Sequence, residues 1–413
     1  MSAYEKFDEA RRILDGISER GLDPQRIVER LMDWRIETPS WGYADTGTRF
    51  GKWHQPSCAR TIEEKLADAG QVHKHTGICP MVAVHVLWDF PDGFDRQVLQ
   101  WAEQAGVGIG SVHPNLFQRQ CYKFGSLANP DAAIREQAVQ HVLECIEIAR
   151  QVGSGLISLW LGDGTNYPGQ DDTRDRKGRL SEALQRIHGS MPESMRLLIE
   201  YKPFEPAFYA TDIADWGMGY ILARQAGPQA KVLVDLGHHY PGQNVEQVVA
   251  WLIDEQMLGG LHLNDRKYAD DDLTIASIDP YQVFRILCEI VWAEHEVGRV
   301  LPITYTIDQS HCIKGKVEAM IQTVTVAHEL LAKALLVDRQ VLREAQGRCD
   351  VVAAEQTLRE AFFTDTRPLI GYVRQQMGRP PDALAAFRAS GYDARVAEQR
   401  QARHGRPPEA SYA

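Results

Sequence analysis

The stretch from 196 to 273 contains RLLIEYKPFEP (Arg196–Pro206), KVLVDLGHH (Lys231–His239) and GGLHLNDRKYADDDL (Gly259–Leu273), and a related phrase, PITYTIDQSH, follows at Pro302–His311. In each, a short apolar run of the kind that forms a buried strand ends on an acid or an imidazole. Carboxylates and imidazoles are costly to bury unless they are paired or bound to a cation. Their return at the end of successive strand-like runs calls for one shared purpose, and a divalent metal centre is the simplest.

Outward from this stretch the same alternation continues. Strand-like runs are expected at Thr38–Tyr43, Met81–Trp88, Gly106–Val112, Gly155–Leu161, Arg196–Tyr201, Lys231–Leu236, Leu258–Leu263 and Leu301–Ile307. Amphipathic stretches separate them, at Thr61–Gln71, Asp95–Gln104, Ala132–Val152, Leu180–Ser194, Ala210–Ala226, Val245–Met257, Pro280–Glu296 and Val317–Val337. Repeated βα units read as a parallel sheet, and eight of them in 413 residues exceed the roughly 250 residues a (β/α)8 TIM barrel needs. No Gly-x-Gly-x-x-Gly follows any strand, which removes the main support for an open dinucleotide-binding sheet. The reading is an α/β protein: a barrel domain over 1–335, including an N-terminal helical segment at Tyr4–Leu31, and a helical C-terminal extension over 336–413 that packs on the barrel or a neighbouring subunit. Helices are expected there at Val351–Phe363, Arg367–Met377 and Pro381–Ser390, with Arg400–Ala413 frayed.

Composition narrows the function. The seven cysteines are widely spaced with no Cys-x-x-Cys pair, against a disulfide framework or zinc knuckle. A formal net charge of -11 repels nucleic acid, and no run of about 18 apolar residues offers a membrane span. The first twenty residues lack the apolar centre of a secretory signal. A cytoplasmic protein that binds neither nucleic acid nor membrane is expected.

In a barrel, side chains at the C-terminal strand ends converge on one mouth. Glu200, Asp235, His262 and Asp308 each end a strand-like run, and three carboxylates with one imidazole form an oxygen-rich set suited to Mn²⁺, Mg²⁺ or Co²⁺. A second cation is suggested by His238 or its neighbour His239, and by Asp270 and Asp272, whose i, i+2 spacing aims both carboxylates the same way in an extended segment. Singly, these residues have plainer readings: helix caps, a solvated acidic loop at Asp270–Asp272, structural histidines. Four consecutive strands ending in a potential ligand tip the balance.

Taken together, EYKPFEP at 200–206, VDLGHH at 234–239, HLNDRKYADDDL at 262–273 and DQSH at 308–311 resemble the L-rhamnose isomerase family, in its bacterial branch of broad sugar specificity, among the xylose-isomerase-like barrels. VHVLWD at 84–89 and LWLGDG at 159–164 extend the resemblance over roughly 38–315. It implies two divalent ions per subunit, Mn²⁺ by preference with Co²⁺ or Mg²⁺ as substitutes. One would be structural on Glu200, Asp235, His262 and Asp308, the other catalytic on His238, Asp270 and Asp272. It further implies that Lys202 contacts the sugar oxygen at C1 and that His85 assists ring opening. Trp41, Trp88 and Trp160 would form apolar walls, and Phe50 would reach the neighbouring active site in a homotetramer.

The expected activity is reversible aldose–ketose isomerisation without an organic cofactor, with L-rhamnose as substrate and D-allose/D-allulose among related sugars. Lys202, two residues beyond Glu200 in an extended strand, shares its face and would stabilise negative charge developing on oxygen. Hydrogen would move between C1 and C2 either directly as a hydride or as a proton through an enediol, with Asp308 or a metal-bound water as base. The competing readings are a metal-dependent ketose 3-epimerase, a phosphodiester-cleaving endonuclease and a non-catalytic sugar- or metal-binding protein.

Overall fold

Eight parallel strands close into a barrel: β1 (Glu37–Pro39), β2 (Met81–His85), β3 (Gly108–His113), β4 (Leu156–Leu159), β5 (Arg196–Glu200), β6 (Ala230–Asp235), β7 (Leu258–Leu263) and β8 (Thr304–Ile307), with β8 returning to pair with β1. The structure is a computed structural model describing residues 3–19, 21–48, 51–309 and 312–406. Phe50 and His311 fall outside the described residues.

The expected strands are all present; β7 has the expected bounds, and the other seven differ at one or both ends. β1 stops at Pro39 and the chain turns into a 3-10 helix at Ser40–Tyr43, because a proline has no N–H to extend a ladder. β2 stops at His85, where a single helical turn, Val86–Asp89, begins. Inward-facing residues alternate with outward ones along each strand. At the lower end of the barrel Leu156, Leu198 and Leu233 form their own apolar plug. Strand β7 admits it by being Gly-Gly at 259–260: a Cβ at Gly260 would meet Leu198 Cδ1 at 2.9 Å.

The surrounding helices are α1 (Ala3–Glu19), α2 (Pro24–Met32), α3 (Ile62–Thr76), α4 (Gln97–Ala105), α5 (Ala132–Val152), α6 (Thr173–Gly189), α7 (Trp216–Ala226), α8 (Val245–Asp254), α9 (Pro280–Val297) and α10 (Lys316–Leu335). The N-terminal segment is two helices, since Asp23 caps a new one whose first residue is Pro24, a standard start signal. Beyond the barrel come α11 (Arg339–Gly347), α12 (Val351–Phe363), α13 (Arg367–Gln376), α14 (Ala383–Ala389) and α15 (Tyr392–His404). Their buried faces, including Leu369, Val373, Phe387 and Val396, join the same hydrophobic cluster as the barrel's outer layer.

Helix α15 corrects the expectation of a frayed end for Arg400–His404, while residues 407–413 fall outside the described residues. Arg400 is buried and its guanidinium grips Asp68 of α3 through Nη1 (3.0 Å) and Nη2 (2.8 Å). Tyr392 Oη donates to the same carboxylate at 2.8 Å. Among the described residues no single helix is long and apolar enough to cross a membrane.

Candidate metal centre and active site

The upper ends of β5 to β8 bring the four expected ligands together. The parallel register sets Asp235 beside His262, and His262 beside Thr306, two residues before Asp308. One ligand atom each from Glu200, Asp235, His262 and Asp308 lies within 4.8 Å of all the others. His262 Nδ1 is 3.3 Å from Glu200 Oε1, and 3.4 Å from both Asp235 Oδ2 and Asp308 Oδ2.

The donor set fits a divalent cation. Asp235 Oδ2 and His262 Nδ1 are buried with no hydrogen-bond partner, although each sits among groups that could be one, and such orphaned polar atoms demand an explanation. A cation that shares their lone pairs supplies it. The outer bonds are those of a held ligand: Asp235 Oδ1 accepts from the Gly237 N–H (2.7 Å) and from Asn264 Nδ2 (2.9 Å), which fixes the carboxylate plane. Burial alone would lower His262, but the Glu200, Asp235 and Asp308 carboxylates hold it well above the ordinary imidazole range. Concentrated negative charge here attracts a positive one.

A second group forms from Asp235, His238 and Asp270, again with ligand atoms within 4.8 Å of one another. The sequence left His238 and His239 unresolved, and the structure separates them. His239 turns into the core, where its Nε2 pairs with Tyr201 Oη at 2.7 Å. His238 presents Nε2 to Asp270 Oδ2 at 3.3 Å, while its Nδ1 lies 3.0 Å from the Tyr201 carbonyl. Donating there leaves Nε2 free as a ligand. Against burial, which lowers it, Asp235, Asp270 and Glu200 push His238 up to about 9.

Asp270 and Asp272 both line the cavity above the strands, but the segment is a turn and not an extended strand. Asp271 Oδ2 accepts the N–H groups of Lys267 (2.5 Å) and Tyr268 (2.6 Å), and Asp272 takes φ 46°, in the left-handed region that Asp tolerates. The middle acid ties the loop and its neighbours face inward. Asp272 is pushed well up by burial and by Asp270, Asp308 and Asp235. The grouped second set contains Asp235, with Asp272 beside it on the cavity wall.

The cavity holds about 270 Å³ and is walled by Trp41, His85, Trp88, Phe117 and Trp160 opposite the ligands. Lys202 Nζ pairs with Asp270 Oδ2 at 2.5 Å and lies 5.3 Å above the Trp160 ring. Burial lowers Lys202, yet Asp270 raises it overall, so it remains an ammonium. Trp41 is more than a wall, since its Nε1 donates to Asp308 Oδ1 at 3.0 Å. His85 stacks on Trp88 at 3.9 Å, and burial followed by His113 pushes it well down, to the neutral form. Its Nδ1, Trp160 Nε1 and Ser158 Oγ are buried without a partner on this side of the cavity.

Several participants escaped sequence reading. Phe117 packs against both His85 (5.7 Å) and Trp160 (4.8 Å). Asp89 accepts from Ser40 Oγ, the His85 backbone N–H and Lys65 Nζ at 2.5, 2.7 and 2.6 Å. This buried hub fixes the turns that carry Trp41, His85 and Trp88. Asp89 closes the VHVLWD phrase and could have been suspected, whereas nothing local announces Lys65 or Ser40 as its partners.

The chain belongs to the xylose isomerase-like TIM barrel family, whose model matches residues 72–299, and together with its relatives this makes it a sugar isomerase/epimerase-like TIM barrel. It is 37% identical over 393 residues to a probable sugar isomerase of Rhizobium meliloti (strain 1021), covering 94% of this chain and 91% of that one. It is 23% identical over 364 residues to an L-rhamnose isomerase of Bacteroides thetaiotaomicron, covering 79% and 82%. Among solved structures, an L-ribulose 3-epimerase superposes with a TM-score of 0.51 at 13% identity over 79% of this chain and 97% of its own, a likeness of fold.

Proposed function

We propose that the protein is a metal-dependent aldose–ketose isomerase with two divalent ions per subunit, Mn²⁺ by preference, acting on L-rhamnose and on related sugars such as D-allose. The observation that carries this reading is the cavity's division into two chemically distinct walls. One side gathers two overlapping ligand groups around Asp235. The other offers aromatic rings interspersed with unpartnered polar atoms of His85, Ser158 and Trp160, the surface a polyol with one apolar face would fill. The relatives named as sugar isomerases support the same class.

Bound divalent ions would polarise the adjacent sugar oxygens and so weaken the C–H bond that must break. Glu200, Asp235, His262 and Asp308 would hold a structural ion, and His238, Asp270 and Asp272, with Asp235 at hand, a catalytic one. Lys202 stabilises negative charge on the carbonyl-end oxygen. Asp308, held by Trp41, faces the cavity; where hydrogen moves through an enediol it takes the proton from C2 and returns it to C1, and where hydrogen moves directly as a hydride it holds the substrate without taking a proton. Neutral His85 is placed to accept from the ring hydroxyl during opening. Trp88, Trp160 and Phe117 cover the far end, where an apolar surface separates a methyl from a hydroxymethyl terminus only modestly. The wider reading is a homotetramer in which Phe50 completes a neighbouring site.

The test is a panel of aldoses and ketoses with metal-stripped enzyme and again after Mn²⁺, Co²⁺ or Mg²⁺ is restored. Aldose–ketose interconversion that vanishes on stripping and returns best with Mn²⁺ is expected. Full activity after stripping sinks the mechanism, and conversion between ketoses alone favours a 3-epimerase, which the single four-ligand group would also suit.

A further inference from the structure

Beneath the ligands the barrel carries a polar chain that the reaction above leaves unused. Glu37 of β1 turns inward, and β3 makes room for it with Gly110, where a Cβ would meet Glu37 Oε1 at 2.3 Å. Glu37 Oε2 accepts from Ser111 Oγ (2.7 Å) and Thr306 Oγ1 (3.0 Å), and Oε1 accepts from the Ser111 N–H at 3.2 Å. Ser111 Oγ in turn lies 3.0 Å from His113 Nε2.

With Glu37 ionised, this chain selects a tautomer. A serine hydroxyl has one proton to give, and Ser111 commits it to Glu37. Its lone pairs then face His113, so the imidazole donates from Nε2 and keeps a lone pair on Nδ1. No described residue donates to that atom. His113 is 6% exposed and lines the cavity. Its ring lies 4.9 Å from Trp41, and nearly parallel to both His262 (6.0 Å) and His85 (6.2 Å). It therefore sits between the ligand side and the aromatic side.

The position matters because a sugar hydroxyl both donates and accepts. Lys202 and Trp160 Nε1 are donors, and cations also take oxygen lone pairs, so a hydroxyl gripped by any of them still needs an acceptor for its own proton. With ions bound, carboxylate oxygens would be taken by them as well as by Lys202 and Trp41 Nε1, and His113 Nδ1 adds an acceptor to that of His85 on the cavity wall.

We propose that His113 is a further substrate-binding residue, accepting a hydrogen bond from a sugar hydroxyl at Nδ1, with Ser111 and Glu37 as positioning residues that fix its tautomer. The contact rests on the isomerase reading above and adds a specificity element to it.

Two measurements test it. In protein labelled with ¹⁵N-histidine, the His113 signal, assigned by its loss in His113→Gln, should show an unprotonated Nδ1 and a protonated Nε2. In Glu37→Gln the amide can donate to Ser111, whose proton then turns to His113, and the tautomer should reverse with KM raised about tenfold and kcat changed less. A wild-type Nδ1–H overturns the proposal. Second, with Mn²⁺ restored, mono-deoxy analogues of the best aldose are compared in wild type, His113→Phe and His113→Gln. One analogue should lose about 5- to 10-fold in kcat/KM with wild type, the size of a single neutral hydrogen bond, and lose nothing further with His113→Phe. His113→Gln, which keeps an acceptor oxygen, should recover part of the sensitivity. An active His113→Phe that keeps wild-type sensitivity to every analogue overturns the contact alone. A wild type that converts no sugar overturns the isomerase reading and the contact together.

Discussion

Asp308 bears two obligations at once. One oxygen accepts from Trp41 Nε1 at 3.0 Å and the other lies 3.4 Å from His262 Nδ1, while its side chain, 27% exposed, is the most open of the four ligands. That openness suits a ligand that also meets substrate. Asp308→Asn should keep its fold and lower kcat by at least about 100-fold, the usual weight of a positioned base; near-normal kcat would remove it from the catalytic set. A pH effect follows from His238. In metal-stripped protein its imidazole is raised from the ordinary value of about 6.5 to about 9 by Asp235, Asp270 and Glu200 against burial. A raised folded-state value contributes stability that is complete below about 6.5 and lost as pH rises through about 9. The melting temperature of stripped protein should fall across that window, and saturating Mn²⁺, which needs the neutral ring, should flatten the fall. A stripped protein equally stable at both ends would contradict the assigned protonation.

At the scale of elements, α3 is held from two sides. Its Lys65 reaches the Asp89 hub at the rim, and its Asp68 is held by Arg400 of α15. Burial keeps Asp68 up near 6 even with the guanidinium beside it. Replacing Arg400 by Met would strand a buried carboxylate and should cost about 3–5 kcal/mol, measured by urea unfolding, with Asp68→Asn added to recover much of the loss. A loss below about 1 kcal/mol would show the pair to be dispensable. These elements also show what sequence can and cannot reveal. The strand ends at Glu200, Asp235, His262 and Asp308 were legible because a short continuous buried run breaking on an acid or an imidazole is a local signal. Pro39 ended β1 earlier than the apolar pattern suggested, through its missing N–H. Arg400 sits in a polar, Gly- and Pro-flanked tail whose burial depends on a partner 332 residues earlier, and no local pattern encodes that. His113 and Glu37 were hidden likewise, because Ser111 joins strands far apart in the chain. Asp270 and Asp272 do both line the cavity, but on a turn and not on the extended segment that their spacing suggested.

For the molecule as a whole, the candidate ligands are drawn from the upper ends of four successive strands and the loops after β6 and β7, so a bound ion would cross-link half of the barrel's mouth. At a free concentration of 100 times its dissociation constant, a metal that binds only the folded chain adds about 2.7 kcal/mol. Chelation should therefore lower the thermal midpoint and Mn²⁺ should restore it, followed by calorimetry. A midpoint indifferent to metal would argue against these groups as a folded-state cation site. The extension belongs to the same unit, since its apolar faces join the barrel's own cluster.

The grip of Arg400 on α3 also has a consequence in time. Translation releases the barrel strands before α15, yet α15 secures the helix whose lysine braces the turn bearing His85 and Trp88. A nascent chain that has already exposed every candidate ligand thus still lacks this brace of its aromatic wall. A chain arrested before α15 would carry the candidate ligands on a wall that Arg400 has not yet secured.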